Sequence, residues 1–390
     1  AEKIAVLNKQ INVIEIQGGY ANELRDQRAL LIDELSEIVP TEVSEVPITD
    51  TNHPDEPTGA NYYTVKIGGQ VLVDTYNYET LECKARDYKV NQTDAAGLYD
   101  IKWSKTGNTF NAGGSSMSGT LKALFDIRDG NNGENFSGLA KVLNSTEVQI
   151  TNPSITSIVG VSMPEEGILT INGREYAYEG FTFEQDADGN ITSYTFNMKR
   201  ALTAEEQARV DGRTASVGTS IDAMGIPYYM SQMNQFLRSF ATEFNNILKK
   251  GVDLDGNSTS GYAFFTGTDT VTGKEFSFDG KDANGNTVNG SGSDTYYKLT
   301  AANICVNSMI VKDPTKLATT VDINGKGGVD AYDLVEELAT LKSGKVLYRG
   351  GTADGFLKCM IADISVDTQQ SEIFSKNYQN VASAIDTQRM

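Results

Sequence analysis

Apolar residues recur at steps of three and four at both ends of the chain, a spacing that predicts helices. In residues 1–39 the apolar seam is narrow enough for a coiled coil, and Pro40 ends it. Gly18 and Gly19 break the phase, which predicts a kink or hinge within one long helical element. From Leu357 two heptad rows predict a second long helix that depends on neighbours, because polar residues dilute its seam.

Alternating apolar and polar residues replace this period in the middle of the chain and predict strands. Residues 61–74 are interpreted as two short strands around a Gly68-Gly69 turn, and residues 76–86 and 101–103 continue in the same composition. A short helix is predicted next, with the apolar positions Leu121, Leu124 and Phe125.

Residues 131–224 form a second β-rich block, interpreted as a small self-contained domain. Asn172-Gly173 and Asp188-Gly189 predict tight turns in it, because these residues tolerate positive φ. The predicted strands are 168–171, 175–178, 181–184 and 191–198. After the block, Pro227 begins the strongest helix pattern of the chain, which Gly251 closes. Residues 252–295 are predicted to be loops with a few short strands.

The charge of the chain excludes two classes of partner. Its 390 residues include 52 Asp plus Glu against 33 Lys plus Arg, a net charge of -19. Nucleic acids and anionic membranes are polyanions that this field would repel, so neither is expected as a partner. No run approaches the roughly 18 apolar residues of a membrane span, and no secretory leader is visible. The three cysteines, predicted to be buried free thiols, are Cys83, Cys305 and Cys359.

Several segments imitate chemical sites, and each lacks a required residue. The single histidine, His53, lies in a polar turn, and residues 267–274 have the wrong spacing for a phosphate loop. Residues 253–257 begin like an EF-hand loop but are interpreted as a polar turn. Residues 322–333 look like a dockerin-type calcium loop, except that Lys326 places an ammonium where a carboxylate is needed, so a helix-capping turn is preferred. No catalytic acid pair stands out, so no enzyme, metal or cofactor is expected.

Four segments, in order, carry a family resemblance. The first covers residues 4–35 and contains Ala-Asn-Glu-Leu-Arg-Asp-Gln-Arg at 21–28; the second is 65–73. The third, residues 113–129, runs from a Gly-Gly turn to Arg128-Asp129, and the fourth covers residues 226–265. Together they resemble the family of flagellar hook-associated proteins that form the first junction between hook and filament.

Two departures from the family's pattern shape the expected organisation. Typical members have the third and fourth segments close together, whereas residues 131–224 intervene here and are interpreted as an inserted outer domain. The family's extreme terminal segments are missing, and neither end carries a helix cap, so the chain is expected to be the middle of a longer protein. Such a fragment is expected to be monomeric.

Pattern and resemblance together predict an α+β multidomain fold with an elongated, coiled-coil-like helical rod and β-rich outer domains. The predicted domains are a rod of 1–39, 226–250 and 330–390, a β-rich middle domain of 40–129 and 251–329, and an inserted β domain of 130–225. The expected structural and assembly residues are Leu24, Arg25, Asp26, Arg28, Leu31, Leu35, Arg128 and Asp129. For the charged members, ordinary i to i+4 pairing on a solvated helix is an equal alternative.

The resemblance implies an extracellular structural subunit of the bacterial flagellum, exported by the type III apparatus and required for filament assembly. The implied partners are the hook protein, the second junction protein or filament subunits, and an export chaperone that binds the missing C-terminal segment. The full-length protein is expected to form a ring. A secreted surface adhesin or carbohydrate-binding protein is the alternative, and a secreted hydrolase would need an acid pair that the sequence does not reveal.

Overall fold

The computed structural model describes residues 1–51, 53, 56–321 and 331–389. They form two compact units, Ala1–Thr156 with Ser162–Ser231, and Ser157–Val161 with Gln232–Met390. Both contain helices and strands, so the predicted α+β class is confirmed. Residues 1–39 belong to the same compact unit as the sheet that follows them, whereas the predicted rod domain joined these residues to later helices. The elongated rod and the three-part domain division remain predictions.

The first unit begins with two helices, α1 (Glu2–Ile16) and α2 (Asn22–Ile38), packed as an antiparallel hairpin. Gly18 has a φ of +79°, and the amides of Gly18 and Gly19 donate to the carbonyls of Glu15 and Ile14. This is a Schellman cap, which ends α1 and turns the chain back. The predicted single element with a kink is therefore wrong, because the two glycines reverse the chain.

A four-stranded antiparallel sheet follows, in the order β1 (Thr41–Thr49), β2 (Pro57–Ile67), β3 (Gln70–Asp74) and β4 (Asn77–Tyr78). The predicted pair of strands around Gly68-Gly69 is confirmed as β2 and β3. Val65 and Val73 are fully buried and share one core with Ile4 of α1. The helical hairpin and the sheet are therefore one packed body.

A second hairpin and a third helix complete this part of the unit. β5 (Leu81–Ala85) and β6 (Tyr99–Trp103) lie where the composition predicted strands and pair with each other, and α3 (Gly119–Asp129) is the predicted short helix. Trp103 is buried and meets Phe110 edge to face. Gly119 has a φ of +85°, and a Cβ there would lie 2.7 Å from the Ile38 carbonyl oxygen. The approach of α3 to α2 therefore requires glycine at this position.

The β-rich block is a closed six-stranded barrel, a closure that the sequence pattern did not predict. Predicted strands 175–178 and 181–184 are one continuous strand, β10, whose register shifts next to Gly180. Gly180 therefore lies at a β-bulge within one strand and not in a turn between two strands. The barrel elements are β7 (Ser137–Val142), β8 (Glu147–Thr151), β9 (Gly167–Ile171), β10 (Arg174–Gln185), β11 (Ile191–Met198), α4 (Ala204–Val210) and β12 (Thr214–Val217).

Aromatic rings fill the barrel, and its two connections run side by side. Phe136, Tyr194 and Phe196 are buried in the interior, with edge-to-face or tilted contacts between rings. At the base, the Gly225 amide donates to the Gly130 carbonyl oxygen at 3.1 Å. The chain thus leaves the barrel where it entered.

The second unit is built on α5 (Ile226–Leu248), which confirms the strongest predicted helix; the unit holds this helix from Gln232 onward. Its other elements are β13 (Phe265–Gly267), β14 (Ile304–Val306), α6 (Ser308–Lys312), α7 (Asp333–Thr340) and α8 (Ala353–Arg389). Residues 341–352 contain no helix and separate α7 from α8, the long helix that the heptad rows from Leu357 predicted. From Ile361 to Ile385, the apolar side chains of α8 are exposed to solvent.

Two further predictions can be compared with the structure, and a third lies mostly outside the described residues. Residues 253–257 form the predicted polar turn, in which Asp253 accepts from the amides of Asp255 and Asn257. The cysteines are free, but Cys83 and Cys359 are exposed and Cys305 is half-buried, so the prediction of buried thiols is wrong. Each cysteine lies on a strand or helix that has one face not covered by other elements. Most of the calcium-like loop, residues 322–330, lies outside the described residues.

Candidate assembly site: a buried arginine network

Arg28 on α2 joins four elements of the first unit. Its side chain is buried, with 4% of the residue exposed. Nη1 donates to Asn8 Oδ1 of α1 at 2.9 Å, and Nη2 lies 3.3 Å from Glu45 Oε2 of β1. The guanidinium carbon lies 3.5 Å from the ring centre of Tyr63 on β2, a cation–π contact. One side chain therefore fixes the helical hairpin against the sheet.

Arg25 lies one turn earlier on the same face of α2 and clamps the other end of the hairpin. Its Nε and Nη2 donate to the two carboxylate oxygens of Glu15 at 2.6 and 2.8 Å, a bidentate pair. Its Nη1 lies 3.0 Å from Glu45 Oε1. Glu45 thus bridges both arginines. Hydrogen bonds from Arg25 are the main cause that lowers the pKa of Glu15.

The network is electrically balanced, because two arginines face two glutamates. Burial lowers the pKa of Arg28 and raises that of Tyr63. Asn8 is 1% exposed and extends the network, because its Nδ2 donates a hydrogen bond to the Thr75 carbonyl oxygen at 2.8 Å. A buried charge that loses a partner costs far more than a surface one. The hairpin therefore has one favoured position on the sheet.

Arg128 and Asp129 form a second cluster at the end of α3. Arg128 Nε donates to Asp129 Oδ1 at 2.8 Å, and its guanidinium lies 4.2 Å from the ring centre of Phe125. Arg128 also donates to the Tyr99 carbonyl, and Arg86 Nη2 lies 3.6 Å from Asp129 Oδ1. Among the hydrogen bonds and ion pairs of the described residues, none joins this cluster to that of Arg25 and Arg28.

The other predicted residues have simpler surroundings. Leu31 and Leu35 are half-buried and pack against the core that contains Ile4. Leu24 is half-buried and Asp26 is exposed. The alternative of i to i+4 pairing is wrong for Arg25 and Arg28, whose partners lie 10 to 20 residues away. An assembly role for the predicted set remains a prediction.

Sequence reasoning missed the partners of these arginines. Asn8 and Glu15 on α1, and Glu45 and Tyr63 on the sheet, complete the network. Asn8 and Asn12 could have been found, because an asparagine within an apolar helical seam often fixes register. No sequence pattern marked Glu45 as a partner of the arginines, because only the pairing of β1 with β2 places it beside them.

A buried arginine in the second unit was also missed. Arg238 on α5 is 1% exposed and donates to the carbonyls of Leu299, Tyr297 and Val161 at 2.7 to 2.8 Å. Burial lowers its pKa to about 10, so it keeps its charge at neutral pH. It anchors the short segment Ser157–Val161 within this unit. Arg238 was missed because apolar residues dominate the sequence pattern of α5.

These geometries hold elements of the fold together. Among the described residues, no cluster of three or more His, Cys, Asp or Glu side chains could hold a metal ion. In the same part of the chain, no helix is long and apolar enough to cross a membrane.

Comparison with known proteins agrees with a structural site. Residues 1–152 match the family model of the flagellar hook-associated protein FlgK helical domain. The match covers the helical hairpin, the sheet and both arginine clusters, and it reaches β8 of the barrel. It supports the predicted family for this part of the chain, and with it a hook-associated structural role in the flagellum. No curated protein matches the chain.

Proposed function

We propose that this protein is a non-enzymatic junction adaptor between the hook and the filament of the bacterial flagellum. The observation that carries the proposal is the match of residues 1–152 to the hook-associated helical domain. The proposed partners are the hook protein on one side and the second junction protein or filament subunits on the other. In this proposal the protein acts outside the cell after type III export, assisted by a chaperone.

Two structural features support an adaptor. The arginine network gives the hairpin and the sheet a defined relative position, as a subunit that transmits torque requires. The helix α8 exposes apolar side chains along much of its length, and helices of this kind gain stability by packing with partner helices. In the proposal these helical parts pack with neighbouring subunits, and the barrel stays outside that packing.

Gene deletion tests the proposal. Cells that lack the full-length gene are expected to keep hooks, to lose filaments, and to release filament subunits into the medium. Electron microscopy of hooks and immunoblots of the medium measure both effects, and complementation with the full-length gene is the control. Normal filaments in the deletion strain would refute the adaptor role. Hooks lost together with filaments would point to an earlier step than the junction.

A further inference from the structure

A cavity of about 200 Å³ lies within the first unit, apart from the network of Arg25 and Arg28 and beside the cluster of Arg128 and Asp129. Its walls come from the β5–β6 hairpin and the loop after β5, from α3, and from barrel strands β9 and β10. At roughly 30 Å³ per water molecule, this volume holds about six or seven waters. It therefore has room for one small ligand, such as a single sugar ring, but for no longer chain.

Arg86 lines this cavity, and two of its side-chain nitrogens are ion-paired with carboxylates without making a hydrogen bond. Its side chain is 8% exposed. Nε lies 3.1 Å from Asp100 Oδ1 and Nη2 lies 3.6 Å from Asp129 Oδ1, so both are near a carboxylate. Neither nitrogen makes a hydrogen bond in the described part of the chain. Buried polar groups are nearly always hydrogen-bonded, so these two donors point to an oxygen atom supplied by a ligand.

The charges around the cavity favour a neutral ligand. Three carboxylates, Asp100, Asp129 and Glu175, face it. Arg86 offsets one of them, and Arg128 already binds Asp129, so the group carries about one net negative charge. The carboxylates would repel an anion, and the guanidinium of Arg86 would repel a divalent cation. A neutral ligand avoids both costs.

The remaining lining narrows the class of ligand. Thr170 and Asn111 supply a hydroxyl and an amide, and Phe110 and Phe125 supply apolar surface. Carboxylates only accept and guanidinium groups only donate, whereas a hydroxyl group does both. A ligand that carries several hydroxyls around an apolar ring face satisfies this mixture at close spacing.

We propose that the cavity binds a neutral polyhydroxyl compound of the size of one monosaccharide. This site goes beyond the proposed junction function, because it requires no hook or filament partner. Thr170 and Glu175 are paired across β9 and β10 of the barrel, whereas Arg86 and Asp100 belong to the adjoining hairpin. A bound sugar therefore bridges the barrel and the part of the unit below it.

Saturation-transfer NMR and titration calorimetry on the complete 390-residue chain test this site. The probes are D-glucose, D-galactose and D-mannose, with sodium acetate and ethylammonium chloride as charged comparators. We expect at least one sugar to bind and both charged comparators to fail. Thr170→Val and Glu175→Gln are expected to weaken binding about tenfold, because each removes a lining polar group. Matched controls on β10 outside the cavity, Thr182→Val and Glu179→Gln, should leave the affinity within about twofold.

Three results would overturn the proposal. The first is the absence of saturation transfer to every sugar at about 10 mM, a concentration that detects even weak binding. The second is sugar binding that Thr170→Val and Glu175→Gln leave unchanged, since the sugar would then lie elsewhere. The third is preferential binding of acetate or ethylammonium. Thermal unfolding of each variant checks that it is folded, and Thr170→Val keeps the shape of the original side chain.

Discussion

Arg28 places its guanidinium over the ring of Tyr63, 3.5 Å from the ring centre, while its Nη1 donates a hydrogen bond to Asn8 Oδ1 of α1. A charged side chain thus lies between the helical hairpin and the sheet and has a partner on each. Truncating it leaves the Oδ1 of Asn8 on α1 without its donor and leaves Glu45 on β1 paired with Arg25 alone. This arrangement leads to the first prediction.

Arg28→Met is expected to lower the free energy of unfolding by about 2 kcal/mol, because the Oδ1 of Asn8 stays buried without its hydrogen-bond donor. Urea unfolding followed by circular dichroism measures the change. Arg174→Met, at an exposed position where β10 begins, is the control and should cost less than about 0.5 kcal/mol. Equal unfolding midpoints for the two variants would contradict the structural role of Arg28.

The pair of Arg25 and Glu15 predicts a dependence of stability on pH. Hydrogen bonds from Arg25 hold the pKa of Glu15 below its ordinary value of 4.5 in the folded state. A carboxylate with a depressed folded pKa stabilises the fold above its unfolded pKa, and this contribution is lost as the pH falls through the folded pKa. Arg25→Met should therefore be less stable than the unchanged protein at pH 7.

The same argument predicts that this difference begins to narrow near pH 4.5, where Glu15 of the unfolded chain becomes protonated, and closes below the lower pKa of Glu15 in the folded protein. Urea midpoints of both proteins, measured from pH 7 to pH 3, provide the comparison. Lys9→Met on the exposed face of α1 is the control for loss of a positive charge. A constant difference between Arg25→Met and the unchanged protein across this range would show that Glu15 is not the linked group.

The junction of Gly130 and Gly225 predicts that the barrel can be removed. The Gly225 amide already lies 3.1 Å from the Gly130 carbonyl oxygen, so joining these residues directly bridges a short gap. A chain that lacks residues 131–224 should keep its helical circular dichroism signal, but it should unfold at a lower urea concentration than the complete chain, because the deletion removes the Val161 carbonyl that accepts from the buried Arg238. Residues 131–224 alone should show the near-ultraviolet signal of packed aromatic rings. An aggregated or non-cooperative shortened chain would show that the barrel is needed for folding.

A comparison of two glycines distinguishes the cost of a steric clash from the cost of a strained backbone. Gly119 and Gly69 have φ values of +85° and +77°, but only at Gly119 would a Cβ lie within 3 Å of another element. Gly69→Ala is expected to cost about 1 kcal/mol for its left-handed φ, and Gly119→Ala clearly more. Thermal and urea unfolding of the two variants give the comparison. Equal costs would mean that α3 can shift away from Ile38 without loss.

The sequence predicted most elements that depend on local signals. The β2–β3 hairpin and α5 followed from Gly68-Gly69 and from the apolar period after Pro227. The Gly18-Gly19 interruption was located correctly but misinterpreted. A break in helical phase shows that a helix is disturbed, and it does not show the direction in which the chain continues. That direction depends on contacts such as the one between Arg25 and Glu15.

Long-range pairing explains what the sequence could not predict. Arg28 looks like a solvated helix residue, and it becomes buried only because Glu45 and Tyr63 arrive from strands 17 or more residues away. Closure of the barrel depends on β12, which pairs with both β7 and β9. No local period encodes such a pairing. The polar residues of candidate sites were therefore visible in the sequence, but their partners were not.

Closure of the barrel also affects how neighbouring copies behave when they are crowded. An open sheet presents unpaired amides and carbonyls that can template aggregation, and a closed barrel presents none. One edge of the open four-stranded sheet is protected in another way, because its outer strand β1 carries Glu42, Glu45 and Pro47. Glutamates and proline discourage strand addition. Neighbouring copies therefore cannot pair strand to strand through the barrel, and pairing through β1 is disfavoured.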